Sequence, residues 1–125
     1  MNLLKIINKA KQVAKLSDHP NQQLGAVIFD KKGRILSVGH NWHTKTHPVI
    51  SRINELKTMH AECHAILGCR HKYDLTEANI FVYRELKNKQ PALAKPCELC
   101  MKVIKLFGIK KIWYTTGNAI EVIKL

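Results

Sequence analysis

Acidic residues are scarce in this sequence: nine Asp and Glu stand against 21 Lys and Arg, a net charge of +12. That imbalance disfavours cationic partners and favours phosphate, on a nucleotide or along a nucleic acid strand. No window of 18 apolar residues exists, which excludes a membrane-spanning helix. The first residues, Met1 to Lys9, interrupt their apolar positions with Lys5 too early for the core of a signal peptide. Aromatics are few, which argues against the rows of stacking platforms used by large strand-binding proteins. Cysteine, at four residues, is too sparse for a disulfide scaffold. Repeats, low-complexity tracts and internal linkers are all lacking. Residues 1–125 are therefore expected to form one cytoplasmic domain with reduced thiols, large enough to bury about two-thirds of its unfolded surface.

What is present centres on His60-Ala61-Glu62 and, further on, Pro96-Cys97-Glu98-Leu99-Cys100. A C-x-x-C pair alone is ambiguous between redox chemistry and a structural zinc site, and His-x-Glu alone is weaker. Together they supply one imidazole, two thiolates and a carboxylate that is not needed as a ligand. Three ligands leave a tetrahedral zinc ion with one open corner for water, whose pKa the metal lowers towards neutrality. A neighbouring glutamate can then move protons between water and substrate. The combination H-x-E…P-C-x-x-C is the signature of zinc-dependent nucleobase deaminases. His60, Cys97 and Cys100 are thus the candidate metal ligands, Zn²⁺ the candidate cofactor and Glu62 the candidate catalytic residue.

The rest of the chain reads in order around those motifs. Apolar residues at Leu3, Ile6, Ile7, Ala10, Val13 and Ala14 predict an amphipathic helix over 3–16, with Asn2 as its N-cap. Short apolar runs at 24–29 and 35–38, joined by a Gly33-containing turn, predict a hairpin. Gly25 in the first run suggests a close approach of backbone, such as to a ligand. Residues 39–48 read as a polar loop with His40, Asn41, Trp42, His43 and His47. The histidines lack the carboxylate or cysteine partners that a second metal site would want. Residues 49–57 are undecided. A helix is expected over 58–68, capped by Thr58 and closed by Gly68, with His60 in its first turn. Cys63 and Cys69 are expected to be buried thiols, and His64 is not expected to be a ligand. A strand over 79–83, a surface loop over 84–95, a helix over 97–107 opened by Pro96, a strand over 109–115 and a last strand over 119–123 complete the pattern. Trp42 and the pair Tyr83-Arg84 are the candidate platforms for a base.

This order, with His-Ala-Glu on one helix and Pro-Cys-x-x-Cys on another, resembles the cytidine deaminase-like superfamily from Leu3 to Leu125. The resemblance implies an α/β fold: a three-layer α/β/α sandwich with a central mixed five-stranded sheet, the two zinc helices side by side on one face. It implies that Asn41 holds the sugar and that the Ala61 N–H holds the base; Trp42 is a further candidate substrate contact read from the loop itself, where it stacks on a base or covers the loop's base. His64 stands where the deoxycytidylate branch typically carries asparagine, and the ending after Tyr114 suggests the antiparallel hairpin of the free cytidine branch. The implied activity is hydrolytic deamination of cytosine to uracil in a nucleoside or nucleotide. A base in single-stranded nucleic acid or tRNA is the alternative substrate, and a zinc-stabilised nucleic-acid-binding scaffold the non-enzymatic one. Assembly as a homo-oligomer is left open.

Overall fold

The computed structural model describes residues 2–19, 21–42 and 59–125. Its elements are α1 (Leu3–Ala14), β1 (Gln22–Phe29), β2 (Ile35–His40), α2 (Ala61–Cys69), β3 (Asn79–Leu86), β4 (Pro91–Ala92), α3 (Glu98–Leu106), β5 (Lys111–Thr115) and β6 (Ile120–Lys124). Residues 43–58 lie outside the described part, and with them the expectations for His43, His47, Thr58 and the 49–57 segment. Among the described residues no helix is long and apolar enough to cross a membrane.

The sheet runs β2-β1-β3-β5-β6, with β4 attached to the end of β3. β1 is antiparallel to β2 and β3, β3 is parallel to β5 through the α3 crossover, and β5–β6 is antiparallel. The sheet is mixed, as expected, and the last two strands form the expected hairpin. The continuous apolar run 24–29 follows from burial on both faces. Val27 and Phe29 face α1, packing with Ile6, Ala10 and Ala14 and with Phe81 and Tyr83 of β3. Ala26 and Ile28 face the other way, against Ala65 and Ile66 of α2 and Val103 and Ile104 of α3. The result is the three-layer α/β/α sandwich.

Local chemistry fixes the ends of the elements. Asn2 Oδ1 accepts from the Lys5 N–H at 3.2 Å, capping α1 as its side chain predicts. The β1–β2 turn is built by Asp30, whose Oδ1 accepts from the N–H groups of Lys32 and Arg34, each at 2.9 Å. Gly33 takes the left-handed conformation there, with φ +87°. α1 ends at Ala14 rather than at residue 16, its chain closing in turns from Leu16 and Ser17 back to Val13 and Ala14. β3 continues past Tyr83 to Leu86, and part of the expected 84–95 loop is strand β4. Pro96 lies just outside α3, because Cys97 is its N-cap.

Three glycines depart from or sharpen expectation. Gly25 does approach backbone closely, but that of α1: a Cβ there would meet the Ala10 carbonyl oxygen. Gly39 does the same for α2, where a Cβ would collide with the Ala65 N and sit 2.5 Å from the Ala61 oxygen. Gly68 does not close α2, which runs on to Cys69 with Arg70 as C-cap. It sits inside the helix, where a Cβ would lie 3.0 Å from Ser37 Oγ, and Ser37 Oγ itself donates to the Ala65 carbonyl at 2.7 Å. Gly39→Ala should therefore destabilise the fold by about 1–3 kcal/mol through overpacking. Gly68→Ala should cost less than about 1 kcal/mol, since helix propensity offsets a contact with one side chain. Urea denaturation of both variants checks this, and equal midpoints would contradict it.

Candidate metal centre

His60 is the N-cap of α2, extended at φ −86° and ψ 152°, and its side chain makes no capping bond. It stands one position ahead of the first turn in which the sequence placed it. The ring is instead turned to α3: His60 Nδ1 lies 3.0 Å from Cys100 Sγ and 3.8 Å from Cys97 Sγ. Cys97 is the N-cap of α3, its sulfur accepting from the Cys100 N–H at 3.4 Å. The N-termini of two helices therefore bring one nitrogen and two sulfurs together, all within 4.8 Å of one another. Both positive helix ends favour thiolate at this point.

The electrostatics split the two thiols. Cys97 is brought down to about 3 by hydrogen bonds with Cys100 and His60, so it is thiolate at neutral pH. Cys100 is pushed up by the neighbouring Cys63 and Cys97 thiols and by burial. His60 is raised, chiefly by its bond to Cys97. A proton held among closely set sulfurs and an imidazole is what a cation displaces on binding.

The donor set fits zinc. Tetrahedral Zn–S and Zn–N bonds of about 2.3 and 2.0–2.1 Å place nitrogen and sulfur about 3.6 Å apart, and the observed 3.0 and 3.8 Å straddle that distance. Soft thiolates and imidazole suit zinc better than magnesium or calcium. Neither nearby candidate for a fourth ligand joins the described cluster. His64 Nδ1 accepts from the His40 N–H at 3.0 Å, and its ring packs edge-on against Trp42 at 4.9 Å. Cys63 and Cys69 are buried, as expected, and Cys69 donates to the Ala65 carbonyl at 3.5 Å.

The cluster opens on a cavity of about 230 Å³. Glu62, 3% exposed, forms part of its wall. Its Oε1 is buried with no partner among the described residues, and burial raises its pKa above the usual carboxylate range. Ala61 and Trp42 also line the cavity, and the Trp42 N–H donates to the Met59 carbonyl at 2.8 Å, tying the end of β2 to the residue before His60. Asn41 lines it too, yet its amide is partly spent as a strut. Oδ1 accepts from the Leu24 N–H at 2.9 Å and Nδ2 donates to the Gln22 carbonyl at 3.3 Å. One amide hydrogen and one lone pair remain. Tyr83 is not a base platform: it is buried on the α1 face, its hydroxyl on Glu85 at 3.4 Å. The sequence named neither Leu24 nor Lys95 as a site residue, yet both line the cavity with Arg84. Strand alternation from the buried Val82 places Arg84 on this face.

Comparison with known proteins gives a consistent result. Residues 2–116 match the family described as the cytidine and deoxycytidylate deaminase zinc-binding region. The structure is similar to cytidine deaminase from Burkholderia pseudomallei, with TM-score 0.73 and 19% identity, covering 99% of this chain and 93% of that one. It is also similar to apo dCMP deaminase from the cyanophage S-TIM5, with TM-score 0.66 and 22% identity over 90% and 81% of the two chains. That phage enzyme has also been solved with dCMP and dUMP. At these identities the structural likenesses speak to the fold. No curated protein matches the chain.

Cys97→Ser and Cys100→Ala should each abolish stoichiometric zinc in the purified protein, whereas Cys69→Ala should keep it. Elemental analysis after dialysis against a mild chelator tests this, and full zinc in either of the first two variants would contradict the ligand assignment.

Proposed function

This chain belongs to the cytidine and deoxycytidylate deaminase family, and on that premise we propose that it hydrolytically deaminates a cytosine base carried by a nucleoside or nucleotide. The observation that supports this most is the Glu62 carboxylate. It is buried in the cavity wall, its Oε1 has no partner among the described residues, and it follows the metal-binding His60 by two positions. A buried carboxylate oxygen without a partner costs free energy, and carrying a proton in catalysis gives that oxygen a purpose.

His60, Cys97 and Cys100 would hold the zinc. The ion, when bound, supplies the Lewis acidity that makes water nucleophilic at neutral pH. Glu62 does the proton work. It takes a proton from the attacking water and delivers it to the ring nitrogen next to the amine-bearing carbon. It then passes the second proton to the amine, which leaves as ammonia as the ring carbon gains oxygen. Burial raises its pKa above the usual carboxylate range, the direction that favours taking up a proton. α2 starts without a side-chain cap, so first-turn N–H groups such as that of Ala61 are free to hold the base through its carbonyl. Trp42 gives the base an apolar wall, and the remaining hydrogen-bonding capacity of Asn41 is directed to the sugar. We place this activity in the cytoplasm, where the thiols stay reduced.

Glu62→Gln should leave zinc content intact and lower kcat by at least about 10²-fold, the usual contribution of a positioned general acid–base group. Turnover near wild type in a zinc-loaded variant would overturn the role given to Glu62.

A further inference from the structure

The cavity that holds the candidate metal cluster and Glu62 is also lined by two permanent cations, Arg84 and Lys95. Among the described lining residues, Glu62 is the sole acid, and it is committed to the proton work. Deamination of an uncharged base needs no cation at the wall, so these two groups have no part in the chemistry above.

Arg84 has a rigid root. Its backbone lies between two strands, opposite Leu24 of β1 and Ala92 of β4. The guanidinium reaches towards the stretch that carries Lys95, with Nη1 donating to the Leu93 carbonyl at 3.3 Å. Arg84 Nε is buried and has no partner among the described residues. A guanidinium offers five donors in a fixed fork suited to phosphate, and a buried donor without an acceptor is costly. Lys95 adds a flexible second charge two residues beyond Leu93.

We propose that Arg84 and Lys95 form an anion subsite that holds the phosphate of a cytosine nucleoside monophosphate, so that the nucleotide, not the free nucleoside, is the preferred substrate; this rests on the deaminase reading. A single nucleotide fits the page better than a strand. Of the chain's Trp, Tyr and Phe residues, Trp42 alone lines the cavity among the described residues. Strand binders stack successive bases on successive aromatic platforms. Trp113, the other tryptophan, donates to Asn79 Oδ1 at 3.1 Å and packs with the α1 cluster on the opposite face.

The test is ammonia release by the zinc-loaded full chain from cytidine, deoxycytidine, their 5′-monophosphates and a short oligodeoxycytidylate without terminal phosphate. The subsite predicts a kcat/KM for a monophosphate at least about tenfold above that of its nucleoside, the scale of one charge-assisted contact. Arg84→Ala and Lys95→Ala should each lower that ratio severalfold towards one, mainly through KM. Arg84→Lys should restore part of it, because charge survives and the fork does not. Because Lys95 is exposed, its variant tests the proposal even if loss of Arg84 harms folding. A wild-type ratio near one, a ratio indifferent to both substitutions, or a strand turned over better than the monophosphate would each overturn the subsite while leaving a deaminase in place. No ammonia from any substrate would instead overturn the deaminase reading itself, and the subsite with it.

Discussion

Everything functional in this protein depends on two helix N-termini being held side by side. His60 ends one and Cys97 the other, and the gap between them is only 3.0–3.8 Å from nitrogen to the two sulfurs. A shift of one helix by an ångström along its axis would separate the donors. The constraint that prevents it is steric and lies in the sheet. Gly39 lets α2 rest directly on β2, with the Ala61 and Ala65 backbone where a side chain would otherwise be. Hydrogen bonds then lock the contact: Ser37 to the Ala65 carbonyl, the His40 N–H to His64, and the Trp42 N–H to the Met59 carbonyl. The strand thus fixes both the height and the rotation of the helix that carries His60 and Glu62.

Electrostatics follow from that placement. Hydrogen bonds with Cys100 and His60 hold Cys97 as a thiolate before any cation arrives, and the N-terminus of α3 adds the Cys100 backbone N–H. Glu62, in the first turn of α2, is buried, so desolvation dominates and its carboxyl titrates higher than a surface one. At the ends of two neighbouring helices, one acid is held ionised and the other is made readier to accept a proton. The division of labour proposed for Cys97 and Glu62 thus rests on hydrogen bonding at one and burial at the other.

Much of this was legible in the sequence, for physical reasons. The candidate ligands were readable because metal chemistry demands particular atoms at particular spacings, and the β1–β2 hairpin because two apolar runs flank a turn containing Gly33. Legibility failed where tertiary packing overrode local preference. Gly68 looks like a helix stop, yet it lies inside α2, packed so that a Cβ would stand 3.0 Å from Ser37 Oγ. Arg84 and Glu85 look like loop residues, yet they continue β3: one lines the cavity, and the other takes the Tyr83 hydroxyl on the far face. Asn41 was found by likeness to a family, but its bonds to the edge of β1 could be seen only once β1 and β2 were paired.

The central claim is a metal centre with three protein donors and one position left for water. X-ray absorption at the zinc edge of the purified protein tests it most directly. The account predicts one zinc per chain bound by one nitrogen and two sulfurs, with a single light oxygen completing the shell. A third sulfur from Cys63, a second imidazole from His64, or the lack of stoichiometric zinc would contradict it.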